Sequence, residues 1–568
     1  MSQKILRRRD FLKKAGKTTL GAAGLFTLGG CRSAAKLDLL IKEAMVVDGS
    51  GQPPFLADVG IKGKYIKYIG KLGNRPARRI IRAQGLYLAP GFIDIHNHTD
   101  IQFLVCPTAD SLVHQGITTI IGGNCGSSIF PLNQEMLAEE NAYLKEEYSL
   151  EADWTDLDGF YQRLSEKGMA VNYATLVGQG TIRAAVIGYN NRQPTPSELS
   201  RMQSLVYQMM SQGALGLSTG LEYAPGSFAS TEELIELVKV VRDFEGLYAT
   251  HMRDEEDQVL EALEEAIIIA EKAKVSLEIS HLKIGYPRNW SKIDDLLGKI
   301  DQAAARKVKI AADLYPYTAS ATGLSIFFPL WVREGKKEDF LARLRNPELQ
   351  PKLREAIREA EENIGSWQNV LISSVKTERN RDLEGWNLER AAEARNKDIF
   401  TFIRDLLIEE EGQVSMVCFS MSEDNLKRIL QHPLTMICTD SELASAEGIL
   451  SRGKPHPRYY GTYPRAIAEY VKKQKVLPLE EMIRKMTSAP AEKLKLFGRG
   501  RIKEGYLADL VIFDLERVQD RATWSDPHRY PEGLLYVLVN GQLVVEEEKL
   551  TGLLPGKILR KDKKGLVK

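Results

Sequence analysis

A closed (β/α)8 barrel carrying a small β domain built from both termini is the α/β fold that this 568-residue chain predicts, on three observations. Eight short apolar runs of strand character recur between residues 92 and 439, each followed by a polar or amphipathic stretch of helical length. Several of these runs end in side chains able to bind metal or move protons, the place where barrels carry their catalytic groups. The two ends of the chain have another rhythm, short strands punctuated by glycine and proline.

Composition narrows the class. With 43% hydrophobic and 27% charged residues, the chain is neither collagen-like, disordered nor a polytopic membrane protein. Lys and Arg number 77 against 76 Asp and Glu, a net charge of +1, so the surface as a whole offers no large excess of one sign to grip nucleic acid or an anionic bilayer. Five cysteines, at 31, 106, 125, 418 and 438, are too few and too scattered for a disulfide framework. Cys106, Cys418 and Cys438 read as small buried hydrophobes.

The elements follow in order. Residues 1–30 combine Arg7-Arg8-Arg9-Asp10-Phe11-Leu12-Lys13 with a weakly charged run from Ala15 to Gly30, a basic segment and a short apolar one that together make a secretory signal. The run is shorter than the roughly 20 residues that span a bilayer. The paired arginines resemble a twin-arginine signal, and Leu28-Gly29-Gly30-Cys31 resembles a bacterial lipobox, with Cys31 as a lipidated first residue. The alternative is a soluble periplasmic protein that loses Cys31 with its signal. Residues 37–89 form short strands broken at Gly49, Gly51, Pro53, Pro54, Gly63 and Gly70, and residues 495–568 return to the same style with an Asn540-Gly541 hairpin turn. These two stretches predict one β-sandwich-like domain. Between them, residues 90–494 hold the eight runs: 92–95, 117–121, 171–177, 214–217, 247–250, 276–280, 309–314 and 434–439. Unbroken apolar strands alternating with helices indicate a parallel sheet covered on both faces. Residues from about 320 to 430 are too many for one crossover and predict an insertion after strand seven, helical over 336–363 and 388–411, with strands at 370–375 and 413–419.

The chain has eight histidines, and their placement is informative. His96 and His98 close the first run, and on a strand residues i and i+2 point to one side, so both rings can meet one ion. His251 follows 247–250 and His281 follows 276–280, each at the same end of its run. A lone strand-end histidine is ordinarily a hydrogen-bonded core residue; two in register with a His-x-His favour metal. Cys125, between Gly-Gly-Asn and Gly126 at the end of the second run, is placed to ligate as a thiolate. Asp440 ends the last run, where the alternatives are a helix cap and a catalytic carboxylate; in this company the catalytic role is preferred.

At these residues the sequence resembles a known family. Ala89-Pro-Gly-Phe-Ile-Asp-Ile-His-Asn-His98 resembles the opening signature of the amidohydrolase superfamily. Gly123-Asn-Cys-Gly126, the stretch Ser218 to Gly226, His251-Met-Arg-Asp254, Ile279-Ser-His-Leu-Lys283, Tyr315-Pro-Tyr317, His456 to Thr462 and Asp526 to Gly533 together resemble the D-aminoacylases, or N-acyl-D-amino-acid deacylases, across nearly all of residues 37–550. The resemblance implies a zinc hydrolase. Its tight zinc would be held by Cys125, His251 and His281, and a weaker second site by His96, His98 and Asp440 with Cys125 bridging. It also implies the D preference. One departure is Gln179 in Gly178-Gln-Gly180, where relatives often carry a histidine; glutamine hydrogen-bonds but cannot titrate.

Hydrolysis of such an amide needs an activated water, a polarised carbonyl and a proton for the leaving nitrogen. Asp440 is the expected proton carrier. A leaving group with an α-carboxylate wants a fixed cation, for which Lys283 and Arg458 are candidates, and Tyr315 or Tyr317 would add a hydroxyl. A cyclic-amide hydrolase of the dihydropyrimidinase or dihydroorotase kind is the competing enzyme. A solute-binding lipoprotein without catalysis is the competing class.

Overall fold

The computed structural model describes residues 36–562 and 565–568. The signal-like segment, with Cys31, lies outside the described residues. Eight parallel strands form the barrel: β1 Phe92–Asp94, β2 Ile117–Gly122, β3 Asn172–Thr175 with its continuation Val177–Gly178, β4 Gly216–Gly220, β5 Leu247–His251, β6 Ser276–Ile279, β7 Ile310–Leu314 and β8 Thr435–Ile437. They are the eight runs read from the sequence, the third interrupted at Leu176. Apart from half-buried Ser276, every residue in them is buried, as expected where the barrel interior lies on one side and helices on the other.

Ladders run from β1 to β3 and from the continuation of β3 round to β8. The ring closes between β8 and β1 by single bonds. Asp440 N donates to His96 O at 3.0 Å and His98 N to Ser441 O at 2.9 Å. The buried Asp94 carboxylate accepts from Thr439 N at 2.9 Å, Thr439 Oγ1 at 2.6 Å and Asn97 Nδ2 at 2.9 Å. Burial pushes its pKa up to about 6, against these hydrogen bonds. This latch lies directly beneath the residues that matter for function.

The outer helices form for ordinary reasons. Val259–Ala273 buries Val259, Ala262, Leu263, Ala266, Ile267 and Ala270, one face of a 3.6-residue period. Pro196–Ser211 starts with a capping box, Thr195 Oγ1 accepting from Glu198 N while the Glu198 carboxylate accepts from Thr195 N.

After β7 the chain builds the insertion, an antiparallel sheet with Val414–Cys418 between Ser320–Gly323 and Val370–Val375. Helices such as Gln350–Ile364 and Ile399–Glu409 cover it around a separate core including Phe328, Leu353, Ile372 and Leu407. Ser320–Gly323 was not foreseen, because Ser-Ala-Thr-Gly has no apolar alternation; its pairing with Cys418–Ser415 makes it a strand.

The terminal β unit is one nine-stranded sheet folded over its own core rather than two separate sheets. Ile66 N donates to Tyr506 O and Ala508 N to Lys64 O, both at 2.9 Å, drawing the outer strand Tyr65–Gly70 round to the segment before Leu510–Phe513. Leu39, Ile41, Val59, Ile61, Leu510 and Ile512 fill the inside. The end of the chain leaves this sheet for the barrel, where Tyr173 N donates to Lys557 O at 2.9 Å and Leu559 N to Tyr173 O at 2.7 Å.

Asp94→Ala leaves three buried donors without their acceptor, at about 1–3 kcal/mol each. We expect the melting temperature to fall by about 5 °C or more in scanning calorimetry. An unchanged melting temperature would show that closure does not depend on the latch.

Candidate metal centre and active site

The six residues singled out from the sequence as metal ligands meet at the C-terminal mouth of the barrel. Cys125 Sγ lies 3.3 Å from His96 Nε2 and 3.4 Å from His281 Nε2. His281 Nε2 is in turn 2.9 Å from His251 Nδ1. On the other side, His98 Nε2 is 3.3 Å from His96 Nε2 and 3.0 Å from Asp440 Oδ1. Among the described residues, His96, Cys125 and His281 form one group of converging donors, and His96, His98 and Asp440 form a second.

Backbone conformation aims three of these side chains. Cys125, His281 and Asp440 have φ of 50°, 35° and 48°, in the left-handed region that side-chain-bearing residues avoid at about 1–3 kcal/mol. Each sits just past a strand end, where the turn swings its side chain into the mouth. Gly126 beside Cys125 is obligatory: a Cβ there would come 2.5 Å from Gly220 N.

The nitrogens facing away from the cluster are each met by a different carboxylate. His251 Nε2 is 2.9 Å from Glu222 Oε2, His281 Nδ1 is 2.9 Å from Glu255 Oε1, and His96 Nδ1 is 3.3 Å from Asp313 Oδ1. Asp313 also accepts from His281 N at 2.6 Å. Carboxylates behind imidazoles fix ring orientation and tautomer, leaving the inner nitrogens as lone-pair donors. Four such donors packed this closely need positive charge among them, either protons on the imidazoles or a bound cation. Thiolate plus imidazole is a donor set suited to zinc. Burial pushes the Cys125 thiol up, but the charges of His96 and His281 outweigh it and hold it well below the ordinary thiol value. Glu255 and Asp313 escaped the sequence reading. Asp313 carried a signal, a lone carboxylate inside the apolar run 309–314; Glu255, four residues past His251 in a charged loop, carried none.

A cavity of about 1140 Å³ opens above the cluster, walled by barrel loops on one side and by insertion residues such as Thr322, Phe327 and Met416 on the other. Arg458, Lys283 and Tyr315 line it. The buried Arg458 guanidinium lies over the Tyr315 ring at 4.5 Å, its Nη1 in an ion pair with Asp440 Oδ2 at 3.0 Å, while its buried Nε makes no hydrogen bond. His456 sets it in place, accepting from Arg458 N at 3.0 Å while donating from Nε2 to Ala319 O at 3.0 Å. Burial raises the Asp440 pKa, but Arg458 and His281 outweigh this and hold it well below the usual carboxylate range. Lys283 is tied to Glu255 and lies 2.7 Å from His281 Nδ1, so part of its charge serves the metal cluster rather than the open cavity.

Two candidates lie elsewhere. Tyr317 does not line the cavity; the turn at Pro316 sends its ring behind His456, 4.9 Å away. Gln179 is buried outside it, its Nε2 3.4 Å from Glu233, which pairs with buried Arg183. The position is part of a packed polar network.

Imidazoles, a thiolate and a carboxylate gathered at the mouth of a (β/α)8 barrel define a metal-dependent amidohydrolase. Residues 402–545 match the Amidohydrolase family profile. A D-aminoacylase of Alcaligenes xylosoxydans xylosoxydans is 34% identical over 529 residues, 92% of this chain and 97% of that one. A crystal structure of an N-acyl-D-glutamate deacylase from Bordetella bronchiseptica, complexed with zinc and a phosphonate mimic of the tetrahedral intermediate, matches with a TM-score of 0.78 at 32% identity, over 92% of this chain and 100% of that one. A D-aminoacylase structure described for its binuclear metal centre matches at 0.77 and 33%, with the same coverage. The chain belongs to the D-aminoacylase family of amidohydrolases, enzymes that hydrolyse linear amide bonds.

Loss of a carboxylate behind a metal-binding histidine weakens metal binding 10- to 100-fold as an order of magnitude. Glu222→Ala is therefore expected to release its bound metal to a competing chelator at roughly tenfold lower chelator concentration, with the melting temperature of the metal-free protein unchanged. Equal metal retention would remove Glu222 from the metal centre.

Proposed function

We propose that this enzyme hydrolyses N-acyl-D-amino acids to a carboxylate and a free D-amino acid, with zinc as its metal and Asp440 as the proton carrier. The observation that carries the reading is a single cavity in which the donor cluster, a low-pKa aspartate and a buried guanidinium face one another. Cys125, His251 and His281 would hold the tight zinc, and His96, His98 and Asp440 the weaker one beside Cys125. Bound there, the metal supplies the Lewis acidity that polarises a carbonyl and makes water nucleophilic near neutral pH.

The chain's own groups do the rest. Arg458, ion-paired to Asp440 through Nη1, offers the rest of its guanidinium at the cavity wall to the substrate α-carboxylate, a planar fork suited to that group. Lys283 adds positive charge and Tyr315 a hydroxyl at the same wall. Asp440 takes a proton from the water as its oxygen bonds to the acyl carbon. It then gives that proton to the amide nitrogen as the C–N bond breaks, leaving carboxylic acid and amine. The D configuration is supported by the relatives, named for D-amino-acid substrates. Cys125 sits between the two ligand groups, where cyclic-amide hydrolases commonly use a carboxylated lysine; this favours a linear substrate. The twin-arginine segment and the lipobox support export to the bacterial periplasm or cell surface and anchoring at Cys31.

A screen of N-acetyl-D- and N-acetyl-L-amino acids, with and without added zinc, is expected to release free amino acid from the D series. Equal rates on both enantiomers would overturn the substrate. Asp440→Asn is expected to lose about 10²–10⁴-fold in kcat while still retaining one tightly held zinc by metal analysis. Undiminished turnover would reassign the proton step.

A further inference from the structure

Charge is balanced over the chain but not along it. Between Asp58 and Asp94 the sequence carries eight Lys or Arg and no Asp or Glu. This stretch supplies strands Tyr65–Gly70 and Ala77–Arg82 of the terminal sheet, flanking the central pair Leu37–Val46 and Phe55–Lys62. Register decides where its charges point, because paired residues share a face. Leu39, Ile61 and Ile66 align and face the core. The alternate set lies on the other side: Lys42 pairs with Arg82 and Lys62 with Tyr65, Arg78 and Ile80 fall on the same side, and Leu40 beneath Ile80 is buried.

Little answers these cations. Asp38 meets Lys62 Nζ at 3.3 Å and Arg78 Nε at 3.5 Å, and Glu546 pairs with Arg79. Among the described residues, Lys64, Lys67, Lys71, Arg75 and Arg82 have no carboxylate at ion-pair distance. The neighbouring Asp58 and Glu504 accept backbone N–H groups, of Glu43 and Leu72 and of Ile69. Among the charges lie two exposed amphipathic or apolar side chains, Tyr65 at 37% and Ile80 at 50%.

The chain also enters the sheet here. Leu37 N donates to Pro76 O at 3.0 Å, and Lys62 Nζ to Lys36 O at 2.8 Å. Five residues lie between Cys31 and Leu37, six steps of chain and so a leash of at most about 20 Å. With acyl chains on Cys31, the leash lets this face come down onto the bilayer, inside the Debye length of about 8 Å at physiological ionic strength. Within that distance basic residues are drawn to anionic headgroups, and tyrosine settles at headgroup level.

We propose that this outer face of the terminal sheet docks on an anionic phospholipid surface, steadying the enzyme beside its anchor. The inference rests on the anchoring reading above, and its test separates the two. Full-length protein carrying Cys31→Ser is sedimented with vesicles of phosphatidylglycerol mixed with phosphatidylcholine, and with phosphatidylcholine alone. Adding Lys42→Gln, Lys62→Gln and Arg82→Gln is expected to weaken binding to the mixed vesicles about tenfold or more. The difference should vanish on phosphatidylcholine and in about 0.5 M salt, with deacylase activity equal in both chains. Equal binding by the two chains would overturn the proposal and leave the N-terminal arginines as the source of attraction. A change of oligomeric state without a change in vesicle binding would give the face to self-association, and overturn it too. The mass of Cys31 in membrane-extracted wild type reads the anchor on its own: an unmodified Cys31 removes the anchor and leaves a positive vesicle result standing.

Discussion

Four ligand atoms crowd together at one mouth of the barrel. Cys125 Sγ and the inner nitrogens of His96, His251 and His281 approach within 2.9–3.4 Å of their neighbours, and each is a lone-pair donor once its outer nitrogen is bound. Such a set is stable only around positive charge, and the surroundings are arranged to keep it so. Three carboxylates orient the rings from behind, three left-handed residues turn side chains inward, and the Asp94–Thr439 latch joins the strand that brings His96 and His98 to the strand that brings Asp440.

The barrel explains why residues so far apart in sequence can do this. Each ligand lies at or just beyond the C-terminal end of a parallel strand, so the hydrogen-bonded ring fixes their spacing without depending on long flexible loops. The layer above is less economical and more particular. The insertion after β7 brings its own sheet and core to roof the cavity, and His456 pins Arg458 over Asp440. One guanidinium thus touches Asp440 at the wall of the cavity above the cluster. In the proposed reaction, positioning and proton transfer would meet at that single side chain.

Much of this was legible in the sequence, and the reasons are physical. Buried strands announce themselves as apolar runs, and rare histidines at their ends stand out because imidazole has few reasons to be there. Pairing between distant segments leaves no local trace. Ser320–Gly323 has no strand-like pattern and is a strand only because Val414–Cys418 runs beside it. The fold of the terminal sheet over itself depends on Ile66 meeting Tyr506. Tyr317 shares a motif with Tyr315, yet a proline between them parts their directions. Lys283 was placed on the right wall, but its bond to Glu255 was hidden, because a salt bridge between two βα loops has no spacing rule.

The central claim is that a sulfur belongs to the metal. X-ray absorption at the zinc edge of enzyme loaded with zinc tests it most directly. A thiolate ligand gives a Zn–S shell near 2.3 Å beside nitrogen and oxygen at roughly 2.0–2.2 Å. The account predicts that shell, and predicts its loss in Cys125→Ser. A first shell of nitrogen and oxygen alone in the unaltered enzyme would contradict it.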